Sequence, residues 1–479
     1  MIRPEATSEK VGWKPMRISD LAGHALGVCT VALMLAGCSG NGSSAVAPSV
    51  PASSSYALER QGAGVTPLKQ DNILYTFQGG VDGAGPYAGL LAQNGQYYGT
   101  TFGGGASDGA GTAFKLSPSG AKTILYTFQG GSDAANPQAG LIAGGGGALY
   151  GDTVYGGGGP ACTYGCGTVY ELVPSGSGYT EKVIYAFQGG DDGAAPIGNL
   201  LIDKSGALYG TTVGGGGAAA CTTTIDGIGC GTVFKLTPSS EGYTETILYS
   251  FQAGNDGIGP RGTLIADVNG ALYGTTEFGG GVSACSSGSG NAGCGTVFKL
   301  TPSSAGYSET VIYRFQGGTG DGQFPRSALV AGITGFKSGR LFGATIGGGA
   351  NKHGTIYELT PSGSSYTERV FYSFNGKSGS SPSDENGLYF GKCHAHPWAP
   401  PCLYGTTAGG GTAKCFCGTA FKLTAAGTET VLHSFQGGRR ADGSDPRGSL
   451  VADAAGYLYG TTFGGGTRQQ AGTVFKVSP

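Results

Sequence analysis

Short apolar and aromatic strings recur along most of this chain, separated by polar and glycine-rich segments. One apolar-aromatic run ends at a phenylalanine seven times, at Phe77, Phe128, Phe187, Phe251, Phe315, Phe374 and Phe435. A looser apolar run, a Leu-Tyr-Gly-Thr-Thr string and a Gly-Thr-Val-Phe-Lys-Leu string follow it in fixed order. All four runs are short and rich in β-branched or aromatic residues, as is typical of strands. No sustained helical period appears, so the pattern predicts four strands per unit and little helix.

Seven units of about 50 to 70 residues, each with four strands, predict an all-β chain folded as a seven-bladed β-propeller. Each blade is expected to be a four-stranded antiparallel sheet. A β-solenoid is the structural alternative, although its rungs are usually shorter and more uniform. Residues 73–77 form a spare outer strand and residues 472–477 end a unit that lacks one. Pairing these two segments in the last blade would close the ring and remove two exposed edges.

The order of these strings resembles that of the choice-of-anchor tandem repeat proteins known by the GloVer repeat. The resemblance covers residues 73–479. The repeat is specific, because three strings recur in register. It implies a surface protein joined to an anchor, and it brings no activity with it. Two departures from the pattern are Phe342 in the fifth unit and His433, which stands where other units have Tyr.

The composition excludes several protein classes. The chain has 98 Gly in 479 residues but no Gly-X-Y period, which excludes collagen. With 39% hydrophobic residues it is too apolar for a disordered tail. The formal net charge of −2 gives no bulk electrostatic reason to bind nucleic acid. We therefore expect no binding of nucleic acid. We also expect a monomer.

An export signal is predicted at the start of the chain. The apolar run 21–37 ends in Leu-Ala-Gly and is followed by Cys38, which resembles the bacterial lipoprotein signal and implies a lipid on that thiol. The run is too short for a membrane-spanning helix. An ordinary secretory signal with an incidental cysteine is the alternative, and either Met1 or Met16 can be the start.

The predicted domains are a signal peptide over 1–37, a flexible Ser/Gly/Pro linker over 38–71 and the propeller over 72–479. Ser39 resembles the sorting signal for the outer membrane. The chain is therefore expected at the outer membrane or cell surface, held to the membrane by the lipid alone.

Ten further cysteines in an exported chain predict disulfides. Three pairs span loops before the Gly-Thr strand: Cys162 with Cys166, Cys221 with Cys230, and Cys285 with Cys294. The sixth unit stays open, because Cys393 and Cys402 can pair together or exchange with Cys415 and Cys417. Zinc held by Cys393, His394, His396 and Cys402 is a further alternative.

Three kinds of residue are candidates for ligand binding. Arg261, Arg326 and Arg447 each follow a proline before an innermost strand, so they would converge near the channel mouth and suit an anion. Pairing of each arginine with a nearby loop aspartate is the alternative. Trp398 lies in a proline-rich loop and could stack on a sugar or anchor a protein. Aspartates of the loops between blades could bind calcium, although they can also serve only as turn residues: Asp82, Asp192, Asp256, Asp321 and Asp442.

These features favour a non-catalytic binding module at the cell envelope, with a carbohydrate or a protein as ligand and with no cofactor unless calcium binds. No base is obviously placed near a nucleophile, so no enzyme is expected. One alternative is an exported glycan-active hydrolase or lyase that uses aspartates of the same face. Another is a purely structural envelope protein. Paired carboxylates in a cleft would favour the enzyme.

Overall fold

The recurring strings form seven antiparallel sheets around one ring. The structure is a computed structural model that describes residues 73–105, 109–176, 178–218, 221, 229–285, 293–363, 365–382, 387–394, 399–412, 414–438 and 442–479. These residues contain no α-helix, only three short 3₁₀ turns at Gly80–Asp82, Gly145–Gly147 and Gly190–Asp192. No helix among them is long and apolar enough to cross a membrane.

Each sheet is one blade, and its strands are lettered A to D from the axis outward in the order of their pairing. The chain enters on Ile73–Thr76 (β1), which belongs to the seventh blade. Blade 1 comprises Leu91–Gln93 (β2), Gln96–Thr101 (β3), Thr112–Leu116 (β4) and Lys122–Thr127 (β5). Blade 2 comprises Ala134–Ala135 (β6), Ile142–Ala143 (β7), Leu149–Thr153 (β8), Tyr155–Gly156 (β9), Thr168–Ser175 (β10) and Gly178–Ala186 (β11). In this blade β6 and β9 form a separate small ladder.

Blades 3 and 4 have an innermost strand in two segments, both paired with strand B. Blade 3 comprises Ala194–Pro196 (β12), Leu201–Ile202 (β13), Leu208–Gly214 (β14), Thr232–Ser239 (β15) and Gly242–Ser250 (β16). Blade 4 comprises Gly257–Pro260 (β17), Ile265–Ala266 (β18), Leu272–Gly279 (β19), Thr296–Ser303 (β20) and Gly306–Arg314 (β21).

The last three blades complete the ring. Blade 5 comprises Gly322–Gln323 (β22), Val330–Ile333 (β23), Phe336–Thr345 (β24), Gly347–Gly348 (β25), Thr355–Ser362 (β26) and Ser365–Ser373 (β27), and β22 pairs with β25 in a separate small ladder. Blade 6 comprises Ser380–Pro382 (β28), Tyr389–Lys392 (β29), Pro401–Gly409 (β30), Thr419–Leu423 (β31) and Glu429–Ser434 (β32), and its innermost strand again has two segments. Blade 7 comprises Val451–Ala452 (β33), Leu458–Thr462 (β34) and Thr473–Val477 (β35), completed by β1. The predicted seven-bladed propeller and its ring closure are confirmed.

A buried aromatic pair joins each blade to the next. The phenylalanine that ends strand D meets, edge to face, the aromatic ring of strand C in the following blade, with ring centroids 4.9 to 5.3 Å apart. The seven pairs are Phe77–Phe114, Phe128–Tyr170, Phe187–Phe234, Phe251–Phe298, Phe315–Tyr357, Phe374–Phe421 and Phe435–Phe475. All of these rings are fully buried. Such pairs stabilise by about 0.5–1.5 kcal/mol beyond the area they bury.

These rings explain the glycine in the Leu-Tyr-Gly-Thr-Thr string. A Cβ added at Gly274 would lie 2.5 Å from the Cζ atom of Phe298, and one at Gly343 would lie 2.2 Å from the Oη atom of Tyr357. Only a residue without a side chain lets strand B pass beneath the strand C ring. The glycine is therefore required by close approach of the ring.

Two threonines, one from each of strands B and C, form a hydrogen-bonded pair in all seven blades. Their Oγ1 atoms are 2.8 to 2.9 Å apart in Thr101–Thr112, Thr153–Thr168, Thr212–Thr232, Thr276–Thr296, Thr345–Thr355, Thr407–Thr419 and Thr462–Thr473. Thr101 Oγ1 donates its proton to the carbonyl oxygen of Gly103, so Thr112 must donate to Thr101. Each pair is buried, so this order of donors satisfies polar groups that water does not reach.

Deletion of residues 72–78 tests the closure of the ring. The deletion removes strand β1 and Phe77, exposes the edge of β35 and leaves Phe114 without its partner ring. We expect a lower melting temperature and a ring that opens. Phe77→Ala alone should cost about 3–5 kcal/mol, as truncations of buried aromatic residues do. Circular dichroism melting measures both, and an unchanged melting temperature in the deletion variant would refute closure by this strand.

Candidate functional site

The two ends of the ring carry different loops. The connections from strand D to the next blade and from strand B to strand C lie on one end, which we call the loop face. The A–B and C–D hairpins lie on the other end, which we call the hairpin face. The predicted arginines and aspartates belong to the loop face. The loop between Cys393 and Cys402 is an A–B connection and belongs to the hairpin face, and Trp398 within it lies outside the described residues, as does Cys38.

The loop aspartates hold the connections between blades. Asp256 accepts hydrogen bonds from the hydroxyl of Tyr249 at 2.9 Å and the backbone N–H of Gln252 at 2.8 Å. The same two kinds of donor, a strand D tyrosine and a glutamine N–H, reach Asp82, Asp192 and Asp321. At Asp442 a histidine replaces the tyrosine. The described residues place no three potential metal ligands together, so calcium binding stays a prediction from the sequence.

Two of the three predicted arginines meet through a glutamate. Arg261 Nε and Arg326 Nη2 each lie 2.5 Å from an oxygen of Glu277, and all three residues are less than 9% exposed. Burial by itself raises the pKa of Glu277, but the two guanidinium groups outweigh it and hold the pKa below its usual range. Arg261 and Arg326 thus share Glu277 as a buried ion-pair partner. Sequence reasoning missed Glu277, whose signal is a lone charge after Leu-Tyr-Gly-Thr-Thr, where other units have an apolar residue.

Arg447 has different partners. Its Nη2 atom lies 2.8 Å from Asp445 Oδ2, and its guanidinium lies 4.8 Å from the ring centroid of Tyr87 and 5.4 Å from that of Phe463. For Arg447, the alternative in which the arginine pairs with a nearby loop aspartate is therefore the one observed. The arrangement combines a cation–π contact with a partly exposed ion pair.

Five disulfides fix loops of both faces. The three predicted pairs are present, and the sixth unit contains Cys393–Cys402 and Cys415–Cys417. The zinc alternative would need the thiols that these bonds use. Cys393–Cys402 closes an A–B loop on the hairpin face, and the other four lie in B–C loops.

Carboxyl pairs lie between the outer strands of neighbouring blades. The Tyr313 hydroxyl lies 2.8 Å from Asp321 Oδ2 and 3.4 Å from Glu368 Oε2, where Glu368 belongs to strand D of the next blade. Glutamates at this position recur in Glu181, Glu245, Glu309, Glu368 and Glu429. The Oε1 atom of each is buried and makes no hydrogen bond within the described structure.

Burial and a neighbouring carboxylate raise the pKa values of several of these glutamates. Burial first, and the nearby aspartate second, raises the pKa of Glu368 to about 8 and the pKa values of Glu245 and Glu309 to about 7. Blade 1 differs, because Lys122 stands at the same position and its Nζ lies 2.8 Å from Asp82 Oδ1. Blade 1 thus has an ion pair at the position where blades 2 to 5 place two carboxyl groups side by side.

A small groove lies on the hairpin face at the seam of blades 7 and 1. Residues 92–97 and 452–454 line its volume of about 230 Å³, beside the stacked rings of Tyr97 and Tyr459 at 4.4 Å. Pockets for drug-sized ligands are usually about 300–1,000 Å³. The pattern within one repeat does not predict this groove, because it forms between repeats from opposite ends of the chain.

Replacing Glu277 tests the buried ion cluster. Glu277→Ala leaves two buried guanidinium groups without their shared carboxylate, so we expect a loss of about 3–5 kcal/mol in the free energy of unfolding. The combined replacement of Arg261 and Arg326 by Met and of Glu277 by Leu should restore most of it, because it removes the buried charges together. Urea unfolding measures both variants. A Glu277→Ala protein as stable as the wild type would contradict the assigned role.

The carboxyl pairs predict stability that falls as pH rises. The folded-state pKa values near 7 and 8 exceed the unfolded value of about 4.3. Their contribution is therefore complete below about pH 4 and is lost as the pH rises through the folded values. We expect the melting temperature to fall between pH 5 and pH 8.

The double variant Glu309→Gln/Glu368→Gln cannot ionise at these positions. Its melting temperature should therefore fall less steeply with pH than that of the wild type. The exposed Glu241→Gln is the matched control. Equal slopes in all three proteins would show that the pairs do not titrate in this range.

Several solved structures are similar to this chain at 11% to 14% sequence identity. A protein from Bacteroides fragilis described as a 6-phosphogluconolactonase shares 12% identity over 82% of this chain and 89% of its own, with a TM-score of 0.43. A gluconolactonase from Xanthomonas campestris shares 14% identity over 65% of this chain and 79% of its own, with a TM-score of 0.35. A puromycin hydrolase variant shares 11% identity over 82% of this chain and 52% of its own, with a TM-score of 0.48. At these values no activity carries over to this chain.

No curated protein matches the chain. A family model does match it, namely the Gloeobacter/Verrucomicrobia repeat, over residues 56–286 and 282–479. The two matches together span the whole propeller, and they agree with the repeat family expected from the recurring strings. This chain belongs to the Gloeobacter/Verrucomicrobia repeat family.

Proposed function

We propose that this chain is an exported, lipid-anchored and non-catalytic binding module of the cell envelope, and that its loop face binds a carbohydrate or protein partner. One observation carries the proposal. The aspartates and arginines described on the loop face are engaged by the fold itself, in tyrosine and glutamine hydrogen bonds and in ion pairs. These groups fix the loops in place, which suits a rigid binding surface.

The same contacts argue against the hydrolase or lyase alternative. A glycosidase places two carboxyl groups about 5 to 10 Å apart across a cleft, where one is an acid and the other a base or nucleophile. The carboxyl pairs described in this chain instead lie between packed blades, and at Asp321 and Glu368 both groups contact one tyrosine hydroxyl. These pairs serve the packing of the blades.

Export is supported by the five disulfides, because such bonds persist in oxidising compartments. The anchor rests on the sequence that precedes Cys38. The loops of a propeller held in this way can contact a partner while the anchor stays in the membrane.

A ligand screen tests the proposal. The purified protein is heated with polysaccharides, acidic sugars or calcium, with and without EDTA, and the melting temperature is recorded. A ligand at 100 times its Kd should stabilise the native state by about 2.7 kcal/mol. We expect a shift with a glycan, or with a candidate envelope protein added in the same way, and no release of cleaved product.

Arg447→Ala is the matched variant for this screen, because Arg447 lies on the loop face and forms its partly exposed ion pair with Asp445. Product release by the wild type would favour the hydrolase or lyase instead. If no ligand or partner protein shifts the melting temperature, the chain is better explained as a structural envelope protein.

A further inference from the structure

One backbone position is left-handed in all seven blades. It lies two residues before the Gly-Thr of strand C, on the loop face, with φ between +50° and +134°. Blades 1 to 4 have glycine there and blades 5 to 7 do not: Gly109, Gly165, Gly229, Gly293, Lys352, Phe416 and Gln470. Glycine is the residue that this conformation favours, and a bulky side chain there is an outlier.

The glycines of blades 2 to 4 also have no room for a side chain. A Cβ added at Gly165 would lie 2.1 Å from the carbonyl oxygen of Gly156, and one at Gly293 would lie 2.0 Å from that of Gly279. The B–C loops of blades 5 to 7 follow other paths that admit a side chain at this position. Three adjacent blades thus carry a side chain that the repeat itself does not need.

Phe416 is the most unusual of the three. Its side chain is 63% exposed, so the left-handed backbone is not compensated by burial of the ring. The Cys415–Cys417 disulfide brackets it, and a Cβ added at Gly437 would lie only 2.4 Å from the Cys417 sulfur. The Cys417 carbonyl also accepts the N–H of Asp445 in the next blade at 2.9 Å. The loop is therefore anchored beneath while the ring is presented to solvent.

Polar and cationic side chains are exposed on the loops of blades 5 to 7, and the Asp445 carboxylate beside the Phe416 loop is paired with Arg447. Lys352 and Gln470 are exposed at the same position of the adjoining blades. Lys414 is exposed two residues before Phe416. Lys377 is exposed beside Gly376, whose carbonyl accepts the N–H of Gly411 from the Phe416 loop at 2.8 Å. This part of the loop face therefore offers an aromatic ring, an amide and several ammonium groups.

We propose that Lys352, Phe416 and Gln470 form a binding arc for an acidic polysaccharide that carries uronic acid residues. A rigid aromatic ring can pack against the C–H face of a sugar, an amide can bond its hydroxyl groups, and ammonium groups can pair with its carboxylates. One such side chain on each of three successive blades matches a ligand that itself repeats. An acidic peptide lacks the sugar faces that the exposed ring would cover. This inference rests on the proposed binding function.

A left-handed backbone is strained for Phe416 but not for glycine. A glycine variant can therefore remove the ring without destabilising the fold. Phe416→Gly removes the ring but suits the left-handed backbone, so the melting temperature should stay the same or rise. Calorimetric titration of the full-length protein with polygalacturonate should show at least tenfold weaker binding by this variant. Lys352→Gly should weaken binding and reduce its dependence on salt. Tyr164→Ala, an exposed aromatic of the loop face in blade 2, and Lys204→Ala on the hairpin face are the controls, which should bind like the wild type.

Neutral dextran and poly-glutamate complete the test. Dextran should not bind, and poly-glutamate should bind weakly and with no dependence on Phe416. Poly-glutamate binding that is lost in Phe416→Gly would overturn the proposal in favour of an acidic peptide. Polygalacturonate binding that Phe416→Gly leaves unchanged would also overturn it. If another ligand of the screen raises the melting temperature and polygalacturonate does not, the ligand class is wrong but the binding function stands. If nothing binds, both fail.

Discussion

The edge-to-face contact between the last phenylalanine of one blade and the strand C ring of the next sets the geometry of the whole ring. It recurs at all seven seams, including the one where Phe77 and Phe114 lie beside the closing strand. The glycine of strand B exists to admit this ring, as at Gly274. Since each contact fixes one blade against its neighbour, the loops of the seven blades are held at fixed relative positions.

The contacts that hold the blades and loops in place engage many of the charged side chains of the loop face. The loop aspartates accept hydrogen bonds from strand D, and Glu277 binds Arg261 and Arg326 together. What remains for a partner is the set of side chains that these contacts do not engage. Phe416 is the clearest of these, because it is exposed on a backbone that favours glycine. The proposed binding function follows from this division between residues that hold the ring and residues that it presents.

The repeats made much of the fold predictable. Strand order and the three loop disulfides follow from the spacing of residues within a unit. Ring closure follows from the spare strand at residues 73–77 and the missing strand of the last unit. The site was less accessible, because its contacts join different units. Glu277 lies 49 residues from Arg326, and the role of Asp321 depends on Glu368 in another blade. The left-handed position of Phe416 is equally hidden, since no local signal gives the sign of φ for a phenylalanine.

Hydrogen exchange with and without polygalacturonate tests the central claim most directly, that a rigid ring presents a binding arc on one sector of its loop face. We expect slower exchange in the B–C loops of blades 5 to 7, within residues 349–354, 410–418 and 464–472, and unchanged exchange in the groove-lining residues 92–97 on the hairpin face. Protection confined to the hairpin face, or no protection in these three loops at saturating polymer, would contradict it.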